Sequence, residues 1–147
     1  MTEIPPSSPI TILLVEDDPG DVLMTREALA ESKLLNTLHV LSDGREAIDY
    51  LQAAAAGTEP RPDLVLLDLN LPRVDGREVL QYIKSDAQLR RIPDELLTTS
   101  SAEEDIARSY DLHANAYVTK PVDFEQFMDV VRKVDEFFIS IVRRAAT

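Results

Sequence analysis

Five short apolar runs, each closed by polar or ionisable residues, constrain this chain more than any other feature. Ile10–Val15 is β-branched at several positions and ends in Glu16-Asp17-Asp18. An unbroken apolar run of that length reads as a strand buried on both faces. Similar runs predict strands at Leu38–Leu41, Leu64–Leu67 (ending at Asp68), Leu96–Thr99 and Ala116–Thr119 (ended by Lys120-Pro121). The intervening segments carry helix signals. Asp18-Pro19 supplies a cap and a first-turn proline for a helix to about Ser32. Ser42 is expected to cap a helix from about Arg45 through Ala53–Ala56, stopped by Gly57. Asp75 caps a helix through about Ser85, and Ser101-x-x-Glu104 is a capping box for one to about Asp111. Asp123-x-x-Gln126 opens a last helix towards Arg143. Strands alternating with helices imply right-handed crossovers and a mainly parallel α/β sheet with helices on both faces.

Composition narrows the function. At 147 residues, of which 44% are hydrophobic, the chain suits one domain whose core needs no staples. With no Cys and only two His, disulfides, thiolate metal sites, thiol catalysis and His-rich metal sites are excluded or disfavoured. A net charge of −12 opposes binding to nucleic acid and anionic membranes. No apolar run reaches membrane-spanning length, and the Pro-rich start lacks the features of a signal peptide, so a cytoplasmic location is expected.

In open parallel sheets, ligands bind at the carboxyl ends of the strands. That rule gathers Glu16 and Asp17 from strand one, Asp68 from strand three, Thr98-Thr99 from strand four and Lys120 from strand five. Clustered carboxylates repel unless a cation shares the site, and an all-oxygen set suits Mg²⁺. A lysine and a hydroxyl beside them match the oxygens of a transferred phosphoryl group, with an aspartate as nucleophile. Asp18, by contrast, suits a plain helix start, where negative charge is worth about 0.3–1 kcal/mol. His39 and His113 stand alone and take no role.

The motifs L-L-V-E-D, L-L-D-L-N-L-P-R-V-D-G, L-T-T-S and A-Y-V-T-K-P, in this order at these strand ends, resemble the receiver domain of two-component response regulators. The resemblance implies a flavodoxin-like (βα)₅ fold with strand order 2-1-3-4-5. It also implies that Asp68 is the phospho-acceptor, and that Asp17, Asp68 and the backbone carbonyl of Asn70 bind Mg²⁺, with Glu16 acting through a metal-bound water. Thr98 and Lys120 would contact the phosphoryl group, and Tyr117 would be the aromatic switch. The choice of Thr98 over Thr99 rests on the family register alone. Further shared features, G-T-E-P-R-P-D and T-T-S-S-A-E-E-D-I, are similar to small regulators that partner phytochrome-type histidine kinases. The expected function is therefore a phospho-accepting signalling protein with self-catalysed phosphotransfer and autodephosphorylation, rather than an enzyme.

Other classes fit less well. A Mg²⁺-dependent phosphatase of the haloacid-dehalogenase type would want a second Asp where Asn70 stands. A flavin carrier would want a hydroxyl- and Gly-rich first loop, which Glu16-Asp17-Asp18 contradicts. A non-phosphorylated interaction module is the remaining alternative, kept open by one departure from the family pattern. After Ile92-Pro93, Asp94 and Glu95 occupy positions that are usually apolar, and a buried unpaired charge costs several kcal/mol. They are expected either at an exposed strand start or in a short or rearranged strand four.

Residues 1–9 are expected to be a flexible segment, 10–134 the receiver domain, and 135–147 an extension of the fifth helix. Phe127, Val130, Val131, Val134, Phe138 and Ile141 form one helical stripe, and Phe137, Phe138, Ile141 and Val142 an apolar patch beyond the domain. A homodimer through helix four, strand five and helix five is expected. With no output domain in the sequence, signalling is expected to run through protein contacts or phosphate relay.

Overall fold

The computed structural model describes residues 9–31, 35–98, 101–109, 113–114 and 116–120, with isolated helical positions at 129, 132, 133 and 136. Five parallel strands, β1 (Ile10–Val15), β2 (Asn36–Leu41), β3 (Leu64–Asp68), β4 (Asp94–Thr98) and β5 (Ala116–Thr119), form one sheet in the order β2-β1-β3-β4-β5. Four helices, α1 (Pro19–Ala30), α2 (Gly44–Ala55), α3 (Gly76–Ser85) and α4 (Ser101–Ser109), connect them, with a 3₁₀ turn at Leu89–Arg91 before β4. The expected strand order and layer architecture are observed. Of the expected fifth helix, the described residues are 129, 132, 133 and 136, all helical, and every residue of its apolar stripe lies outside the described residues.

The period-two geometry of a strand explains why its runs are apolar throughout. Leu13 and Val15 of β1, Val65 and Leu67 of β3 and Leu96 of β4 pack on one face with Ala47 and Leu51 of α2 and Val79, Leu80 and Ile83 of α3. Ile12, Leu14, Leu66 and Leu97 point the other way, with Ala28 and Leu29 of α1. Both faces are covered, so no side chain of β3 is left in water.

Three boundaries differ from the sequence expectation. β2 begins at Asn36 rather than Leu38, because an edge strand pairs through its backbone and needs no apolar residue there. Asp43, not Ser42, caps α2: its Oδ1 accepts from the Glu46 N–H at 2.8 Å, while the Ser42 N–H and hydroxyl donate to Glu46 Oε2. The capping box is present, shifted by one residue.

The third difference is β4. It starts at Asp94, and Asp94 is neither at an exposed start nor in a rearranged strand: it is 1% exposed and in register with Val65 of β3. The compensation comes from α3. Lys84 Nζ lies 2.7 Å from Asp94 Oδ2, so the charge enters the core already paired. Glu95 points to the opposite face, where its Oε2 is buried with no hydrogen-bond partner among the described residues. Burial, reinforced by the Asp94 carboxylate and partly offset by Lys133, pushes its pKa up to about 7. A mostly protonated carboxyl below that pH is how a central strand tolerates it.

Candidate phosphoryl and metal site

The carboxyl ends of β1, β3 and β5 bring the expected residues together. Glu16 continues β1, its N–H donating to Leu41 O at 2.9 Å, and the residue is 2% exposed. Asp17 follows and stands in water. Asp18 is the cap expected of it, its Oδ1 accepting from Gly20 N–H at 2.8 Å. Asp68 closes β3 and is likewise 2% exposed. One carboxylate oxygen from each of Glu16, Asp17 and Asp68 lies within 4.8 Å of the other two.

Lys120 leaves the end of β5 with its N–H donating to Thr98 O at 2.6 Å, which extends the β4–β5 register to the site. Its Nζ donates to Asp68 Oδ2 at 2.9 Å, to Asp21 Oδ2 at 3.0 Å and to Glu16 Oε1. Burial alone would push the lysine pKa down, but these carboxylates together hold it above its ordinary value. For Glu16 the balance is reversed: burial, with Asp68 and Asp21 beside it, outweighs Lys120 and pushes its pKa up to about 9. Burial opposes ionisation of Asp21 too, yet its hydrogen bonds to Glu16 and Lys120 hold its pKa below the usual range. A protonated Glu16 leaves the cluster with less negative charge than its residue count implies.

The loop after β3 is fixed by close backbone packing. Leu69 N–H donates to Leu97 O at 2.9 Å and Gly76 N–H to Leu69 O at 3.0 Å. A Cβ at Gly76 would lie 2.2 Å from Asp68 O, so only glycine lets α3 start there. Asn70 N–H donates to Asp68 Oδ1 at 3.0 Å and its Nδ2 to Glu103 Oε2 on α4 at 2.8 Å. Arg73 holds a left-handed φ of 69°, and its guanidinium reaches Asp43 Oδ2 at 3.4 Å.

Thr98 is fully buried at the end of β4, and Tyr117, paired with Leu96, is half-buried against the β3–α3 core. Two participants were not foreseen. Asp21 was hidden because an acid in a helix's first turn has an ordinary electrostatic explanation. Glu103 stands beside Glu104, which the α4 capping box uses, and carries no signal of its own.

An all-oxygen donor set, in which the buried Glu16 Oε2 has no hydrogen-bond partner among the described residues, fits a hard divalent cation. Asp17 and Asp68 would ligate it directly.

Comparison with known proteins agrees with this geometry. The family model described as the response regulator receiver domain matches residues 12–132. Response regulator Rcp1 of Synechocystis sp. is 43% identical over 135 residues, covering 91% of this chain and 92% of Rcp1. A crystal structure of the phosphorylated cyanobacterial phytochrome response regulator RcpA superimposes with a TM-score of 0.80 at 46% identity, covering 91% of this chain and 96% of RcpA. The Mn²⁺-bound form of Rcp1 gives 0.76 at 44% identity, covering 88% and 94% of the two chains.

Proposed function

The chain belongs to the response regulator receiver family, and from that premise we propose that Asp68 takes a phosphoryl group from a histidine kinase. The carrying observation is the buried Asp68 carboxylate, which shares the Lys120 ammonium with Glu16 and lies within ligand distance of Asp17. A carboxylate oxygen of Asp68 forms the new bond to phosphorus as the phosphorus–nitrogen bond to the histidine breaks, its electron pair returning to the imidazole. Lys120, already oriented by three carboxylates among the described residues, pairs with a phosphoryl oxygen. Thr98 supplies a hydroxyl for a second oxygen, and Tyr117 reports the change through the β4–β5 face. When bound, Mg²⁺ held by Asp17, Asp68 and the Asn70 carbonyl neutralises charge developing on the phosphoryl oxygens, with Glu16 acting through water. Phosphorylation then acts by favouring one of two surface states.

The similarity to Rcp1 and to the phytochrome regulator RcpA supports a phytochrome-type kinase as donor. The Mn²⁺-bound Rcp1 supports divalent metal dependence. A two-fold homodimer through α4, β5 and the C-terminal helix expected over 123–143 is supported by Ile106, which is 58% exposed on α4. Among the described residues, no helix is long and apolar enough to cross a membrane.

The test is intact mass after incubation of wild type and Asp68→Asn with acetyl phosphate, with and without Mg²⁺. One added phosphoryl group on wild type, dependent on metal and absent from the variant, is expected. Equal labelling of the variant, or labelling without metal, overturns the assignment. Light scattering on wild type and on a Phe138→Asp, Ile141→Asp double variant tests the dimer. A monomeric wild type at micromolar concentration, or a double variant that still dimerises, overturns it.

A further inference from the structure

Asn70 is held through both its main chain and its side chain. Its backbone N–H donates to Asp68 Oδ1 at 3.0 Å, inside the acidic cluster. Its side-chain amide donates to Glu103 Oε2 at 2.8 Å, across a sequence separation of 33 residues. Glu103 lies in the first turn of α4, the helix that follows the Thr98 strand. The neighbouring Leu71 is buried and Leu69 is locked to β4, so Asn70 sits between two anchored residues. Glu103 adds a further carboxylate to a loop anchored on Asp68, which costs charge repulsion. Its hydrogen bond to the Asn70 amide and its first-turn position offset that cost.

We propose that Glu103 is a positioning residue of the metal and phosphoryl site: by holding the Asn70 side chain it sets the direction of the Asn70 carbonyl and couples metal loading to the place of α4. This inference rests on the receiver reading of the site. Groups that orient a metal ligand change affinity without touching the ion. The bond is neutral on the Asn70 side and partly solvated, so the effect belongs at the lower end of such cases.

Mg²⁺ binding to the full chain, measured by titration calorimetry on wild type, Glu103→Gln, Glu103→Ala and Asn70→Ala, tests it, with circular dichroism confirming the fold of each. Glu103→Ala is expected to weaken Mg²⁺ binding by about three- to tenfold. Glu103→Gln is expected to stay within about twofold of wild type, because its Oε1 accepts the same amide hydrogen. In the Asn70→Ala background, which keeps the main-chain carbonyl, Glu103→Ala should add no further loss. Unchanged affinity in Glu103→Ala, equal loss in the Gln and Ala variants, or additive losses in the double variant each overturn the positioning role. A wild type that takes up no Mg²⁺ overturns the metal reading of the site, and this inference with it. Acetyl phosphate labelling of wild-type Asp68 scores the phospho-acceptor reading separately.

Discussion

Glu95 makes the stability of this protein depend on pH in a direction opposite to that of most paired carboxylates. Its pKa rises from 4.5 to about 7, first through burial and then through Asp94, with Lys133 opposing. A group that binds its proton more tightly when folded stabilises the fold below its unfolded pKa, and that contribution is lost as pH rises through the folded value. The difference of about 2.5 units corresponds to a ceiling of about 3 kcal/mol, lost between roughly pH 4.5 and 7. Urea unfolding of wild type and Glu95→Gln across pH 4.5–8, in metal-free buffer, isolates this contribution. Glu16 sits at the other end of the parallel sheet and is common to both proteins, so its titration cancels in the difference. The wild-type midpoint should fall relative to that of Glu95→Gln by about 1–2 M urea for a slope of about 2 kcal/mol/M. Two curves that stay parallel over the whole pH range would refute the argument that Glu95 enters the core as a neutral acid.

Removing Lys84 takes away the ammonium that pairs with the buried Asp94 carboxylate, so Lys84→Met should destabilise by about 1–3 kcal/mol in chemical denaturation, while Lys84→Met combined with Asp94→Val recovers most of it. Gly76→Ala forces a methyl group into Asp68 O; a loss of about 2–4 kcal/mol and weakened Mg²⁺ binding are expected from melting and calorimetry. Lys120→Met leaves Glu16 and Asp68 without their shared ammonium, so its melting temperature should rise more steeply with Mg²⁺ than that of wild type; equal dependence would count against the ion-pair reading.

The parts of the site legible in the sequence are those that a single rule locates. Strand ends are visible where an apolar run stops, and the parallel topology places all such ends on one edge, which is why Glu16, Asp17, Asp68 and Lys120 could be grouped before any coordinates. The parts that stayed hidden are pairs made by the approach of side chains from separate elements. Asp21 reaches Lys120 across 99 residues and Glu103 reaches Asn70 across 33, and neither acid differs locally from one placed to suit a helix start. Asp94 shows the same limit from the other direction. Read alone it contradicts an internal strand, and the ion pair that offsets its burial comes from Lys84 in the last turn of α3, next to the buried Ile83. Lys84 therefore borders the apolar face of its helix, within reach of the strand that α3 covers. A cation at such a border, followed by an acid at the start of the next strand, is a pairing that topology permits but no local pattern states. The same step from border position to partner explains why Glu95, on the face turned away from α3, cannot use Lys84 and titrates instead.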